Sequence, residues 1–175
     1  RREDTFTSRW WAARAAGDAA RLDVLAAEYT DAHEGDPLVA YYQGWATIAS
    51  GASMDALRFL VRSIRATADP PAVLWYALSQ AYVGEEAWDQ AVTALETARR
   101  LLERGDESIG LHAERPVAAL FISLGEAYLG AGRCADARSM LAYAGSIGAP
   151  SSTYMPALQE AQRCPTPTPV VTDSP

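Results

Sequence analysis

Few side chains in this chain are of a type that performs chemistry. Histidine occurs twice, as His33 and His112, and cysteine twice, as Cys134 and Cys164. The histidines are far apart in sequence and each sits beside a turn. Both therefore read as solvated surface residues rather than as a paired acid and base. No serine stands in a nucleophile elbow, because Gly145-Ser146-Ile147-Gly148 reads as a helix end with small residues. The adjacent carboxylates Glu85 and Glu86 diverge on a helix. The chain has no Lys, which removes Schiff-base chemistry and the lysine of a phosphate loop, and no Asn, which removes N-glycosylation sites. No four-ligand set suits zinc. The expectation is a protein without catalytic residues, metal ligands or cofactor, and so not an enzyme.

Charge and length narrow the partners. The chain has 175 residues, of which 49% are apolar and 21% charged, the balance of a globular chain able to bury a core. Its net charge is −7, with no basic run, so nucleic acid is a poor partner. No apolar run approaches the ~20 residues of a membrane helix, so no membrane span is expected. The opening Arg1-Arg2-Glu3-Asp4 has no Met and no signal peptide, which fits a processed or trimmed chain whose original N-terminus could have carried a targeting segment or anchor.

The elements that carry these residues read as helical almost throughout. Apolar side chains recur at three- and four-residue spacing over segments of ~12–15 residues, and no run alternates for long enough to make a strand. Breaks fall at Gly35-Asp36-Pro37, Asp69-Pro70-Pro71, Gly105-Asp106, Arg115-Pro116 and Ala149-Pro150. Within this pattern one register repeats. Trp75, Leu78 and Tyr82 precede Ala91, Leu95 and Ala98. Phe121, Leu124, Gly125 and Tyr128 precede Ala137, Leu141 and Ala144. More weakly, Gly44 precedes Ala56, Leu60 and Ser63. The units start near Pro37, Ala72 and Ala118, at offsets of about 35 and about 46 residues.

These residues resemble the tetratricopeptide repeat, a helix-turn-helix unit of about 34 residues. The 118–150 stretch matches best, the 72 stretch has Ser79 in place of glycine, and the 37 stretch keeps Gly44 but lacks the aromatic positions. The resemblance implies an all-α, TPR-like helical hairpin array (α-solenoid), with an N-terminal helix pair before and a C-terminal capping helix after about three repeats. The alternative is an irregular helical bundle with small residues at its crossings. In the array, residues 1–36 form the N-terminal pair, with Trp10 and Trp11 in its first helix and Asp18 capping its second. Residues 37–70, 71–104 and 118–150 are the repeats. Residues 105–117 are a loop insertion that follows an extended second helix. Residues 151–164 are the capping helix, begun by Ser151-Ser152-Thr153, and 165–175 a Pro/Thr-rich extended tail. The insertion's Arg104-Gly105-Asp106 matches an integrin-binding triplet, but turn chemistry accounts for Gly-Asp.

Two expectations follow from stacking. Cys134 would begin the second helix of the last repeat and Cys164 would end the capping helix beside it, so the sulfurs could form a disulfide, which implies an oxidising, extracytoplasmic compartment (periplasm, cell surface or medium). The other reading is two reduced, partly buried cysteines in the cytoplasm. First helices line the concave wall of such a stack, which places Tyr41, Trp45, Ile48, Tyr76, Gln80, Ile122 and Glu126 inward. This wall lacks the Lys, Arg and Asn with which family members hold C-terminal carboxylates. An aromatic and aliphatic wall suits an extended or helical protein segment, with Tyr41, Trp45 and Tyr76 as anchors. The leading reading is a non-enzymatic protein-protein interaction module or scaffold. The alternative is a structural subunit of an extracytoplasmic or cell-surface assembly, packing by its flanks and tail and able to self-assemble. A hydrolytic or ligand-binding groove would need convergent polar groups.

Overall fold

A computed structural model describes residues 5–164 of the chain. The Pro/Thr-rich tail and the first four residues lie outside this range. Nine α-helices run in order, and no strand occurs among the described residues. Helices α1 (Phe6–Ala15) and α2 (Ala19–Ala32) form the first hairpin, α3 (Leu38–Ala49) and α4 (Ser53–Ala66) the second, α5 (Ala72–Gly84) and α6 (Trp88–Glu103) the third, and α7 (Pro116–Gly130) and α8 (Cys134–Ser146) the fourth. Helix α9 (Ser151–Arg163) follows and packs on α8 and α7. Each hairpin's first helix also packs on the second helix of the hairpin before it, so the all-α chain is an array of stacked helical hairpins.

The four hairpin turns share one hydrogen-bond pattern. In the first, the amide of Gly17 donates to the carbonyl of Arg14, and that of Asp18 to Ala13. The same pair recurs as Gly51 to Ile48 with Ala52 to Thr47, as Glu86 to Val83 with Ala87 to Tyr82, and as Gly132 to Leu129 with Arg133 to Tyr128. These bonds satisfy the last carbonyls of each first helix and require one left-handed residue. Glycine supplies it in three turns, whereas Glu86 adopts φ 54° in the third. The N-terminal pair shares the turn although its sequence matches the repeat poorly. Asp18 caps α2 by accepting from the amide of Arg21 at 3.0 Å, as the sequence indicated.

Small residues set the spacing inside the hairpins. A Cβ added to Gly44 would lie 2.5 Å from Leu60 Cδ2, and one added to Gly125 would collide with Leu141. Both leucines are fully buried. Ser79, at the equivalent position of α5, is also buried and donates to the carbonyl of Tyr76 at 2.6 Å. Gly125→Val is expected to destabilise the chain by about 2–3 kcal/mol, because α7 and α8 must separate or Leu141 must leave its rotamer. Urea unfolding measures the loss, and an unchanged midpoint would show that the two helices are not this close.

The core runs along the array as two large clusters and a small third. One is built mainly from α1 to α5 around Trp10, Leu25, Tyr42, Leu60 and Leu74, the second from α5 to α9 around Leu95, Leu120, Leu124 and Ala161, and the third around Ala118, Ala144 and Ala149. Trp45, Trp75 and Tyr82 touch both large clusters and join them. Helix α6, at 16 residues the longest among the described residues, ends at Glu103, and the insertion after it holds a 3-10 turn, Ser108–Leu111. One local expectation needs correction. Helix α9 has Pro150 at its N-cap with no side-chain cap, and the hydroxyl of Thr153 instead donates back to the Pro150 carbonyl.

Candidate interaction surface

The inner-wall candidates come from three first helices at i, i+3, i+4 and i+7 spacing, which aligns them on one face of each. Tyr41, Trp45 and Ile48 lie on α3, Tyr76 and Gln80 on α5, and Ile122 and Glu126 on α7. The structure treats them differently. Tyr41 is fully buried and Tyr76 is 5% exposed. Trp45, Ile48, Gln80 and Ile122 are half-buried, and Glu126 is exposed. Tyr41 and Tyr76 are therefore not open anchors. What covers them is the chain's own insertion, which touches both α5 and α7.

The covering group is His112. The sequence suggested a solvated histidine, and the structure corrects this, since His112 is only 2% exposed. Its ring centroid lies 4.4 Å from that of Tyr76, 4.5 Å from Trp45 and 6.1 Å from Tyr41. Arg14, from α1, closes the other side. Its guanidinium donates to the carbonyl of His112 and approaches the ring Nε2 at 2.7 Å, with its carbon 4.8 Å from the Trp45 ring centroid. A guanidinium has donors only, so Nε2 must offer its lone pair. The ring proton then sits on Nδ1, which donates to the hydroxyl of Tyr41 at 2.9 Å. The indole of Trp10 also donates to that hydroxyl, at 3.3 Å.

The electrostatics follow from this enclosure. Burial, and then the neighbouring Arg14 cation, hold His112 well below its ordinary pKa, so the ring is neutral. Burial raises the phenols of Tyr41 and Tyr76. Burial also lowers Arg14, whose Nε finds no hydrogen-bond partner among the described residues. Tyr76 of α5 and Ser123 of α7 share a 2.6 Å hydroxyl contact that links the two helices. Glu126 is exposed, yet the surrounding wall withdraws enough water to push its carboxyl above the usual range. No ion pair reaches Glu126 among the described residues.

Sequence reasoning missed Arg14, His112, Trp11 and Ser123 as parts of this face. The available signal was an insertion longer than a hairpin connection needs, carrying one of two histidines. The cysteine expectation was met more directly. Cys134 and Cys164 form a disulfide between α8 and the end of α9, with a Cα–Cα distance of 6.2 Å. His33 is exposed. No three His, Cys, Asp or Glu side chains converge as a metal site among the described residues. Among them, too, no helix is long and apolar enough to cross a membrane.

Fold and site together define a class: stacked helical hairpins, pinned at one end by a disulfide, with the amino-terminal half of the inner wall occupied by the chain's own insertion. No protein-family model and no curated protein matches this sequence.

Proposed function

We propose that this chain is a non-enzymatic protein-protein interaction module or scaffold of the tetratricopeptide kind, which binds a partner segment on its apolar, aromatic concave face. The observation that supports the reading most is the recurrence of one turn geometry in four hairpins, in the register that aligns Trp45 and Ile48, Gln80, and Ile122 and Glu126 on first helices. These five residues keep solvent access, whereas Tyr41 and Tyr76 are buried beneath His112 of the insertion. Aromatic and aliphatic groups give such a surface its binding energy, and the lone carboxylate of Glu126 gives it a charge preference. The disulfide favours work in an oxidising compartment outside the cytoplasm.

A second reading, a structural subunit of a cell-surface assembly, draws on the flank. Val117, Tyr143 and Ile147 are 37%, 46% and 38% exposed, and Val117 and Ile147 line an open furrow of about 450 Å³ with Arg115, Pro116 and Ala118. Photo-crosslinking separates the two. A crosslinking amino acid at Gln80 or Glu126 is expected to capture a partner in the source organism, while one at Val117 or Tyr143 is not. Capture from the flank positions alone would overturn the concave-face reading and favour the assembly subunit.

A further inference from the structure

The insertion is fastened at its two ends in unlike ways. Near its start, the carboxylate of Asp106 accepts from the amides of Ala72 at 2.9 Å and Ser108 at 2.8 Å, and the hydroxyl of Ser108 accepts from the amide of Val73 at 3.0 Å. These bonds satisfy the first free amides of α5, which has no side-chain cap of its own. Ile109 is fully buried behind them. This end does not depend on any group that titrates near neutrality. Burial opposes it, but the hydrogen bonds from Ser108 and Ala72 hold the Asp106 carboxyl below its usual range.

The far end depends on one neutral imidazole. Leu111 and His112 are held to α1 by the Trp11 indole, which donates to the Leu111 carbonyl at 2.9 Å, and by Arg14. His112 itself stands between Arg14 and Tyr41. A second proton on this ring would face the guanidinium directly and lose the only acceptor that Arg14 finds on it. The charged and titratable groups around the ring are Arg14 from α1, Tyr41 from α3 and Tyr76 from α5. From α7 the nearest charge is Glu126, which acts on Tyr76. On the insertion, Asp106 is spent on Ala72 and Ser108, Glu107 and Glu114 are exposed, and Arg115 donates to the carbonyl of Gly148. No carboxylate among the described residues bonds the ring to compensate a positive imidazolium.

We propose that the Leu111–Ala113 end of the insertion is a proton-released latch, which leaves the inner wall when His112 is protonated and uncovers Tyr41, Trp45 and Tyr76 while the Asp106 end stays fastened to α5. The closed wall is then the neutral-pH state and the open aromatic wall the acidic one. The latch stands apart from the partner-binding reading, and its test uses no partner.

The sign is set by linkage. The closed ring binds a proton less readily than a free one, so the closed state is fully favoured above about pH 6.5 and loses that advantage as pH falls below it. Each pH unit below that value raises the open population by up to about tenfold, until the closed ring itself titrates. Hydrogen exchange on the purified oxidised chain reads this directly, after correction for intrinsic rates. The amides of His112 and Ala113, both bonded to the Ile109 carbonyl, are expected to lose at least about tenfold protection between pH 7 and pH 5. Those of Ala72 and Val73 are expected to hold theirs. In His112→Phe, which keeps a ring but cannot take a proton, the pH response should vanish. Equal protection of His112 and Ala113 at both pH values, or the same loss in His112→Phe, would overturn the latch. If that variant does not fold, a nitrogen NMR titration of wild-type His112 decides. A neutral Nδ1–H ring that gains its proton together with the loss of loop protection supports the latch, and a ring that titrates with the loop still closed refutes it.

Discussion

Trp10→Ala is expected to lower stability by about 3–5 kcal/mol, the cost of truncating a large buried aromatic. Trp10 is fully buried. Its ring meets Tyr42 edge-on at 4.8 Å and lies 6.0 Å from Tyr41 and 6.4 Å from Phe6. Removing it leaves a cavity between α1 and α3 that neighbouring rings cannot collapse into, because Tyr29, Tyr41 and Tyr42 already pack on one another. It also removes one donor from the Tyr41 hydroxyl, which His112 alone would then satisfy. The loss should be felt first in the N-terminal hairpin, since each hairpin of an array leans mainly on its neighbour. Denaturant unfolding followed by far-UV circular dichroism measures the total, and exchange of α1 and α2 amides shows where it starts. A loss below about 1 kcal/mol would mean that α1 does not seat its indole in the core.

Reduction of the Cys134–Cys164 bond, or the double change to serine, should cost about 2–4 kcal/mol. The bond closes a span of 30 residues that includes the turn into α9 and the whole of that helix. Helix α9 has little else to fix it. Pro156 interrupts its hydrogen-bond ladder, its N-cap makes no side-chain bond, and Ala161 is its only buried residue. Arg138 donates to the Ala161 carbonyl at 3.0 Å, and Tyr154 fills the space that Gly145 leaves open. Thermal unfolding with and without reductant gives the magnitude, and faster cleavage by trypsin after Arg163 would locate the loosening in α9. An unchanged midpoint under reduction would show that packing alone holds the helix.

Much of the array was legible because its rules are local. The three- and four-residue spacing marked each helix, and Gly44 and Gly125 marked where a second helix must come close, with Leu60 and Leu141 receiving them. Helix ends placed the two cysteines side by side. The inner wall was only half legible. Periodicity showed that Tyr41 and Tyr76 face the same way, but not what they face. That depends on Arg14 meeting His112 across 98 residues, and on an insertion whose side chains carry no helical period. The same limit hid Trp11, whose indole reaches a carbonyl 100 residues away. The starting cap of α9 was misread for a different reason. Ser151, Ser152 and Thr153 are cap-forming types, but Pro150 holds the position just before the helix, and they fall inside it.

The pinned final helix also sets how far the stack can grow. Its outward side carries Ser151, Ser152, Thr153, Gln159, Glu160, Gln162 and Arg163, all exposed and hydrophilic. A further copy adding end-on would have to bury these groups against its own first hairpin without compensation. Stacking a further hairpin on α9 is therefore costlier than stacking one hairpin on the next inside the array, where apolar faces meet.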